Sequence, residues 1–332
     1  MYRSEPVTID CLQYCNWSSS IYDQMAAGSV DAVHVTICYH ENFVDTVKNI
    51  EDWNRRFQRY PERLMLGRTA EDILSAKAKG KTAIFFGFQN CTPIEDDIHR
   101  IEIFHQLGVR IMQLSYNNQS LLATGCYEQD DGGITRMGRQ VIQEMNRVGL
   151  LIDMSHSAER STLEAIEHST RPISITHANP FSWHPTLRNK SDTVLRALAE
   201  SGGMLGLSLY PHHLKNGSNC LVEEFCQMVA ITADNFGVDH IGIGSDLCQD
   251  QPDHVVDWMR NGRWTRDKDF GEDPSSYAGF PDDLTWFKDN RDFGSLRKGL
   301  NAVGFDAAEI NQIMGGNWLE FFRQSFGPRP SS

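Results

Sequence analysis

The sequence predicts a closed (β/α)8 barrel, the TIM-barrel architecture. Eight short runs of apolar, often β-branched residues recur along the 332 residues, and segments of helical character separate them. The runs are nearly continuous rather than alternating, which is typical of parallel strands covered by helices. Eight such units favour the barrel over its competitor, a doubly wound open sheet. No Gly-x-Gly-x-x-Gly motif follows the first strand, so a dinucleotide fold lacks support.

The predicted strands follow one another as far as residue 246. They are VTIDC (7–11), AVHVTIC (32–38), TAIFFGF (82–88), VRIMQLS (109–115), LLIDMS (150–155), PISIT (172–176), GMLGLSL (203–209) and HIGIGSD (240–246). The predicted amphipathic helices between them include DDIHRIEIFHQLG (96–108), GRQVIQEMNRVG (138–149) and EEFCQMVAITADNFG (223–237). Each of these helices ends near a glycine that can cap its carboxyl terminus.

Nothing in the composition divides the chain, so residues 1–332 are predicted to form a single domain. A polar, aromatic segment from about 250 to 290 lacks periodicity and is long for a connection. Loops of this length are usually functional or disordered. Trp258 and Trp264 in this segment are candidates to cover a pocket or to seal an interface.

Charge and composition exclude several classes of partner. The formal net charge is −13, which argues against a nucleic-acid or anionic-membrane partner because both require a basic surface. No apolar run approaches the roughly 20 residues that span a bilayer, and no signal peptide is visible in MYRSEPVTID. The eight cysteines form no Cys-x-x-Cys pair and are expected to be reduced. We therefore expect a cytoplasmic protein.

Three chemically distinctive residues stand at predicted strand ends, where barrels of this kind carry their chemistry. DMSH places His156 there, SITH places His177, and GIGSD places Asp246. Imidazole and carboxylate groups suit a divalent metal such as zinc. A single histidine at a strand end is more often a packing residue, but the three together indicate one shared site.

These motifs also carry a family resemblance. DMSH, SITHAN, RNKSD and IGIGSD, in this order and spacing, resemble the membrane (renal) dipeptidase family of zinc metallopeptidases. The stretch LSYNNQSLLATGCYEQDDGGITRMGRQVIQEMNRVGLLIDMSH and the later MGGNWLEFF extend the resemblance over most of the chain. The resemblance implies an amidohydrolase-like barrel with a closing carboxyl-terminal helix. It further implies two zinc ions bridged by a glutamate, cleavage of dipeptides, and a homodimer.

The chain departs from this family at the metal site. The family's first strand ends in His-x-Asp, and the matching positions here are Leu12 and Tyr14. Gln89 stands where the family has the bridging glutamate, and a neutral amide is a poor bridge between two dications. Half of the metal site is therefore missing. At most one zinc ion is expected, on His156 and His177 with Gln89 as a weak third ligand.

Four other residues are candidate replacements for the lost ligands. They are His34, His40, Cys11 and Cys91. Each of them is, by itself, more often a packing residue than a ligand, and the sequence does not fix the direction of its side chain.

The resemblance assigns substrate-binding residues as well. Arg188 in RNKSD matches the family's arginine for the substrate carboxylate, a role that suits a guanidinium fork. Tyr116 matches a histidine that polarises the scissile carbonyl, and a tyrosine can still donate a hydrogen bond to an oxyanion. Tyr210, His212 and His213 follow the seventh strand. They line the pocket in one interpretation and a solvated loop in the other.

Three functional hypotheses follow. The leading one is a hydrolase of a dipeptide or small amide that uses at most one metal ion. In this hypothesis Asp246 takes a proton from the attacking water and passes it to the leaving nitrogen. The second is a metal-independent enzyme that runs acid–base chemistry on a small carboxylate with Asp246, Tyr116 and the histidines. The third is a non-catalytic protein that binds a ligand in the same pocket.

Overall fold

A computed structural model describes residues 6–267 and 279–327. All paired strands in this part of the chain run parallel. The strands are β1 (Ile9–Gln13), β2 (Ala32–Cys38), β3 (Leu64–Leu66), β4 (Thr82–Phe88), β5 (Val109–Gln113), β6 (Leu151–Asp153), β7 (Ser174–Ile175), β8 (Met204–Leu207) and β9 (Ile241–Ile243).

The sheet closes on itself. Its strand order is β2-β1-β9-β8-β7-β6-β5-β4-β3, and an additional pairing between β2 and β4 closes the strands other than β3 into an eight-stranded barrel. The predicted (β/α)8 fold is therefore confirmed, with all eight predicted strands in place. The short strand β3 was not predicted from the sequence. It pairs only with the first half of β4, from Thr82 to Ile84, whereas β5 pairs with β4 from Phe86 onward.

Helices surround the barrel. They are α1 (Ser19–Ala27), α2 (Phe43–Arg59), α3 (Ala70–Ala78), α4 (Arg100–Gln106), α5 (Arg136–Val148), α6 (Glu159–His168), α7 (Asp192–Glu200), α8 (Val222–Phe236), α9 (His254–Asn261), α10 (Phe293–Ala302), α11 (Ala307–Asn311) and α12 (Asn317–Ser325). The three helices quoted from the sequence correspond to α4, α5 and α8. Gly149 ends α5 with a φ of +81°, a left-handed conformation that glycine adopts without strain.

Adjacent residues of a strand pack into two different apolar clusters. Ile84 and Phe86 of β4 belong to the large apolar cluster that also contains Val141 of α5. Ala83 and Phe85, the alternate residues of the same strand, belong to a second cluster. Because side chains alternate between the two faces of a strand, one continuous apolar run fills both cores.

The second cluster includes α12, the closing helix expected from MGGNWLEFF. Trp318 is fully buried, and its Nε1–H donates to the carbonyl oxygen of Ile243 at 3.0 Å. A Cβ atom at Gly242 would lie 2.4 Å from that nitrogen, so the close packing of helix against strand requires glycine. Phe322 packs on Phe85 with ring centroids 5.5 Å apart. The helix thereby joins strands on different sides of the barrel.

The long segment after β9 contains one helix, α9, in its described part. Trp258 of this helix contacts His40 edge-on, with ring centroids 5.5 Å apart, whereas Trp264 is 69% exposed. Residues 268–278 of the segment lie outside the described residues. No helix of the described chain combines the length and the apolar character needed to cross a bilayer. The single-domain organisation stays a prediction.

We predict that Trp318→Ala destabilises the fold. Truncation of a fully buried large aromatic residue costs about 3–5 kcal/mol, because it removes buried apolar contacts and leaves a cavity. Urea unfolding should therefore show a clearly lower midpoint, while Trp264→Ala, at an exposed position, should leave the midpoint nearly unchanged. Equal midpoints for the two variants would contradict the proposed role of α12 in closing the barrel.

Candidate functional site

The predicted site residues lie at the carboxyl ends of the strands, and most of them line one small cleft. Each of these residues lies in a loop that follows one of the strands, as the barrel fold requires. The predicted residues that line this cleft are Gln89, Tyr116, His156, Arg188, Tyr210, His212, His213 and Asp246. Of the two interpretations of the segment after the seventh predicted strand, the pocket lining therefore agrees with the structure. His177 lies fully buried behind His156, with the two Nε2 atoms 2.9 Å apart.

A buried carboxylate fixes the two loops that carry the histidines. Asp153 ends β6 and accepts hydrogen bonds from the backbone and hydroxyl of both Ser155 and Thr176. The hydroxyl of Thr176 donates to Asp153 at 2.5 Å, so its oxygen is left to accept the Nδ1–H of His177 at 2.8 Å. The Nε2 atom of His177 therefore carries the lone pair. This tautomer is inferred from the hydrogen-bond network.

The same argument applies to His156 and Gln89. The Oδ1 atom of Asn117 lies 2.6 Å from Nδ1 of His156 and accepts its hydrogen, which leaves the lone pair on Nε2. The amide nitrogen of Gln89 donates to Thr36 and Tyr39, so its Oε1 atom faces Nε2 of His156 at 3.0 Å. Three acceptor atoms, two imidazole nitrogens and one amide oxygen, therefore converge on one point.

Protonation of either histidine at Nε2 would turn one of these acceptors into a donor, but we do not expect it. Burial lowers the pKa of both His156 and His177 well below the usual value, and the positive charge of Arg188 adds to the effect. Both rings are therefore neutral near pH 7. Converging lone pairs need a positive charge or a hydrogen-bond donor close to them.

Arg188 supplies such a donor. It is only 4% exposed, and its Nη2 atom lies 3.3 Å from Nε2 of His156 and 3.4 Å from the carbonyl oxygen of His177. Its Nη1 atom donates to the carbonyl oxygen of Ser155. The loop that carries Arg188 ends where Ser191 caps α7, since the Ser191 hydroxyl accepts the backbone N–H of Val194.

Asp246 contributes a carboxylate to the same cleft. Its backbone has a φ of +59° and its N–H donates to the carbonyl oxygen of Leu12. Burial raises the pKa of its carboxyl to about 7, and the negative charge of Asp10 adds to the rise while Arg188 opposes it. Among the described residues, no hydrogen-bond donor contacts the carboxylate oxygens of Asp246. This group therefore exchanges protons near neutral pH while it faces the cleft.

Tyrosine hydroxyls provide further donors. The ring of Tyr116 stacks on His156, with centroids 4.0 Å apart, and contacts Tyr39 edge-on. The hydroxyl of Tyr210 accepts a hydrogen bond from Nη2 of Arg260 at 2.9 Å. Burial raises the pKa of all three tyrosines, so each keeps its hydroxyl hydrogen.

Sequence reasoning missed Arg260 as a site residue. It belongs to α9 and lines the same cleft as Arg188. A signal was present, since this arginine follows Trp258 closely in the aromatic segment that is long for a connection. The sequence alone does not place that segment against the barrel mouth, because nothing in it fixes the direction of the helix.

The four candidate replacement ligands make other contacts. His34 is fully buried, binds the carbonyl oxygen of Cys11 through Nδ1 at 2.8 Å, and has its pKa lowered by burial to about 4. His40 binds the carbonyl oxygen of Met259 through Nε2 at 3.0 Å. Cys11 and Cys91 are buried in apolar clusters. Within the described residues, no three histidine, cysteine or acidic side chains form a group able to hold a metal ion.

The two-zinc centre of the dipeptidases does not fit this chain. Leu12 is fully buried and carries no donor, and the ring of Tyr14 packs edge-on against Tyr39 at 4.8 Å. The donor set that remains is the convergence of His156, His177 and Gln89, which suits one weakly bound ion. Such an ion would have to displace the guanidinium of Arg188 from His156.

We predict that Asp246→Asn stabilises the fold above neutral pH. The folded-state pKa of about 7 exceeds the usual value of 3.8, so folding favours the protonated acid. That contribution to stability is full below the unfolded pKa and is lost as the pH rises through 7. The variant should therefore unfold a few degrees higher than the wild type at pH 8.5 and at nearly the same temperature at pH 4. An equal difference at both pH values would contradict a raised pKa.

The comparisons with known proteins agree with this architecture. A solved structure described as an amidohydrolase from Pseudomonas aeruginosa superposes with a TM-score of 0.91, is 31% identical, and covers 97% of each chain. A metallopeptidase from Rhodobacter sphaeroides, solved with a phosphinate mimic of the dipeptide L-Ala-D-Ala, superposes with a TM-score of 0.80 at 18% identity. It covers 96% of this chain and 100% of the other chain, and it supports the fold alone.

The curated relatives match this chain over only part of their length. The dipeptidase tcpJ of Claviceps purpurea is 29% identical over 228 residues, which are 68% of this chain and 52% of that protein. This chain thus spans about half the length of the curated relatives that it matches. A profile of the membrane dipeptidase family, peptidase family M19, matches residues 18–261. The resemblance read from the strand-end motifs is confirmed, and the chain belongs to the membrane dipeptidase family.

Proposed function

We propose that this protein is a hydrolase that cleaves the amide bond of a dipeptide or a similarly small carboxylate-bearing substrate. The observation that carries the proposal is the carboxylate of Asp246, which titrates near neutral pH in a cleft that also holds Arg188. Membership of the dipeptidase family and the curated relatives named as dipeptidases support the same reaction class.

In the proposed reaction, Asp246 acts as the general base and then as the general acid. It accepts a proton from a water molecule whose oxygen attacks the carbonyl carbon. It then gives that proton to the amide nitrogen as the carbon–nitrogen bond breaks. A carboxyl group with a pKa of about 7 suits both steps, because each protonation state is well populated at neutral pH.

Three other residues bind and orient the substrate in this proposal. Tyr116 donates its hydroxyl hydrogen to the oxyanion that develops on the carbonyl, a role that its raised pKa supports. Arg188 binds the substrate carboxylate, with Tyr210 beside it in the same cleft. Binding a carboxylate gives the guanidinium a charged partner, which it lacks in its contacts with Ser155 and the two histidines.

We propose at most one zinc ion for this site, on His156 and His177 with Gln89 as a weak ligand. When bound, such an ion supplies Lewis-acid polarisation of the carbonyl. The cytoplasmic location and the homodimer expected from the sequence stay predictions.

A metal-independent acid–base enzyme that acts on a small carboxylate is the second candidate. It is favoured by the contact between Arg188 and Nε2 of His156, because this contact places a permanent cation where a metal would bind. Asp246 and Tyr116 would act as acid–base groups in that reaction too. A non-catalytic ligand-binding protein is the third candidate. It predicts that Asp246→Asn changes ligand affinity only modestly, whereas an enzyme would lose turnover.

We predict that Asp246→Asn lowers kcat for dipeptide hydrolysis by about 100-fold or more, because removal of a general base typically has that effect. In the wild type, activity should rise with pH and level off above an inflection near 7, since the base must be ionised. The exposed Asp282→Asn is the matched control and should keep both the rate and the profile. Undiminished turnover in Asp246→Asn would overturn the assigned role.

We also predict at most one equivalent of zinc in protein purified without a chelator or a metal column. His156→Ala should lose that equivalent, while the exposed His99→Ala should retain it. The combined variant Leu12→His, Tyr14→Asp and Gln89→Glu restores the family's ligand types and should bind more zinc than the wild type. Elemental analysis measures all four proteins. Two equivalents in the wild type would contradict the proposed loss of half the site.

A further inference from the structure

We propose that Asp10 is a positioning residue for Asp246, and that it acts by binding Ser245, the residue immediately before the proposed base. Asp10 is fully buried and does not line the cleft, so it affects the substrate only through its neighbours. The inference rests on the proposed function, because the reaction assigned to Asp246 is what this positioning serves. It adds a residue of β1 that none of the proposed reaction steps uses.

The first support is the set of hydrogen bonds that the carboxylate of Asp10 accepts. Its Oδ1 atom accepts the backbone N–H of Ser245 at 2.7 Å, and its Oδ2 atom accepts the hydroxyl hydrogen of the same residue. Oδ2 also accepts a hydrogen bond from Nε2 of Gln13 at 2.8 Å. Hydrogen bonds to an ionised carboxylate are among the stronger ones in proteins. One buried side chain therefore joins the end of β1 to the residues that follow β9.

The second support is the backbone conformation of Asp246. Its φ of +59° lies in the left-handed region, which residues other than glycine rarely adopt. Such a conformation persists only where the surrounding contacts impose it. Asp10 holds Ser245 on one side, the N–H of Asp246 donates to the carbonyl oxygen of Leu12 at 3.1 Å, and the N–H of Leu247 donates to the hydroxyl of Ser245 at 3.2 Å. The contacts with β1 therefore fix the direction from which the Asp246 side chain leaves the backbone.

The third support is that the same contact occurs at a second pair of strands. Asp153 of β6 pairs with Ser174 of β7 and accepts the backbone N–H and the hydroxyl hydrogen of Thr176, two residues further on. Thr176 immediately precedes His177 and orients its ring through the hydrogen bond to Nδ1. A buried carboxylate on one strand thus fixes a site residue at the end of the next strand.

Asp10 repeats this arrangement in the same register. It pairs with Ile243 of β9 and binds the backbone and the hydroxyl of Ser245, again two residues further on and again immediately before a residue of the site. Because the geometry recurs at two strand pairs and each time precedes a site residue, we infer that Asp10 does for Asp246 what Asp153 does for His177.

Asp10 also acts on Asp246 through its charge. Burial raises the pKa of Asp10 to about 6, so its carboxyl is mostly ionised above neutral pH, and this negative charge adds to the rise in the pKa of Asp246. Arg188 and Arg260 are the cations that oppose the rise. The other titratable groups that interact with Asp246 stay protonated, and they are Tyr39, Tyr116, Tyr210 and Cys248. Substitutions at Ser245 and at Asp10 therefore separate the effect of position from the effect of charge.

The test measures kcat and KM for dipeptide hydrolysis by the full-length protein as a function of pH. Ser245→Ala removes one contact and leaves the charge of Asp10. It should lower kcat by about 10-fold or more, because a reacting group misplaced by about 1 Å can lose about 100-fold. KM should stay within about threefold and the inflection should stay near 7, since substrate binding and charge are unchanged.

Asp10→Asn removes the charge as well. It should lower kcat and also move the inflection of the profile to lower pH, because the ionised form of Asp246 no longer faces a neighbouring negative charge.

The matched control is Asp31→Asn. Asp31 is also a buried carboxylate between β1 and β2, but it binds the backbone N–H of Thr8 at 2.8 Å and pairs with Lys77 at 3.0 Å, before either strand begins. Its substitution should cost stability and leave kcat and the inflection unchanged. Thermal unfolding of each variant verifies that it is folded. A fall in kcat no larger than that of the control, or a wild-type inflection in Asp10→Asn, overturns the inference.

Amide hydrogen exchange separates this inference from the proposed function, because it needs no substrate. In Ser245→Ala the amides of residues 246 and 247 should exchange about 10-fold faster or more than in the wild type, since the contacts that hold this turn are weakened. The same amides in Asp31→Asn should exchange at the wild-type rate. If no dipeptide is hydrolysed, the proposed function fails while faster exchange still supports the positioning of residue 246. Unchanged exchange in Ser245→Ala overturns the inference whether or not hydrolysis is observed.

Discussion

Closure of the sheet between β2 and β4 is the constraint on which the rest of the molecule depends. It gives every strand of the barrel two neighbours and leaves none of them as a free edge. Since all strands run parallel, closure also brings their carboxyl ends to one rim. Residues as distant in sequence as Gln89 and Asp246 therefore line one cleft. Trp318 is buried in the apolar cluster that α12 shares with the strands.

The rim is organised by a buried carboxylate that takes no part in the proposed reaction. Asp153 binds Ser155 and Thr176 together and so fixes the loops after β6 and β7. Thr176 in turn directs the lone pair of His177 towards His156. In the metallopeptidase arrangement such convergence serves a metal ion. In this chain Nη2 of Arg188 lies 3.3 Å from one of the converging atoms, Nε2 of His156.

The sequence predicted the eight barrel strands and the strand-end positions of His156, His177 and Asp246 from local patterns, whereas Gln89, Tyr116 and Arg188 came from the family resemblance. Apolar runs mark strands, and a motif at a strand end fixes where His156 or Asp246 will stand. Two features depend on contacts between distant segments and escaped prediction. Three residues of β3 carry too little periodicity to be recognised. Arg260 enters the cleft only because α9 packs over the barrel mouth, and no spacing in the sequence encodes that contact.

The proposed loss of metal ligands bears on the electrostatics of the cleft. Two zinc ions carry four positive charges, and a substrate anion in a two-zinc site is attracted by them. In the proposed site at most one ion binds, so the attraction for an anionic substrate depends mainly on the side-chain cations of the cleft. Arg188 and Arg260 are permanent cations that line the cleft. Their positive charge also keeps Asp246 from becoming a permanently protonated acid, since they oppose the effect of burial on its pKa. In the proposed function, Arg188 therefore serves both the binding of the substrate and the ionisation of Asp246.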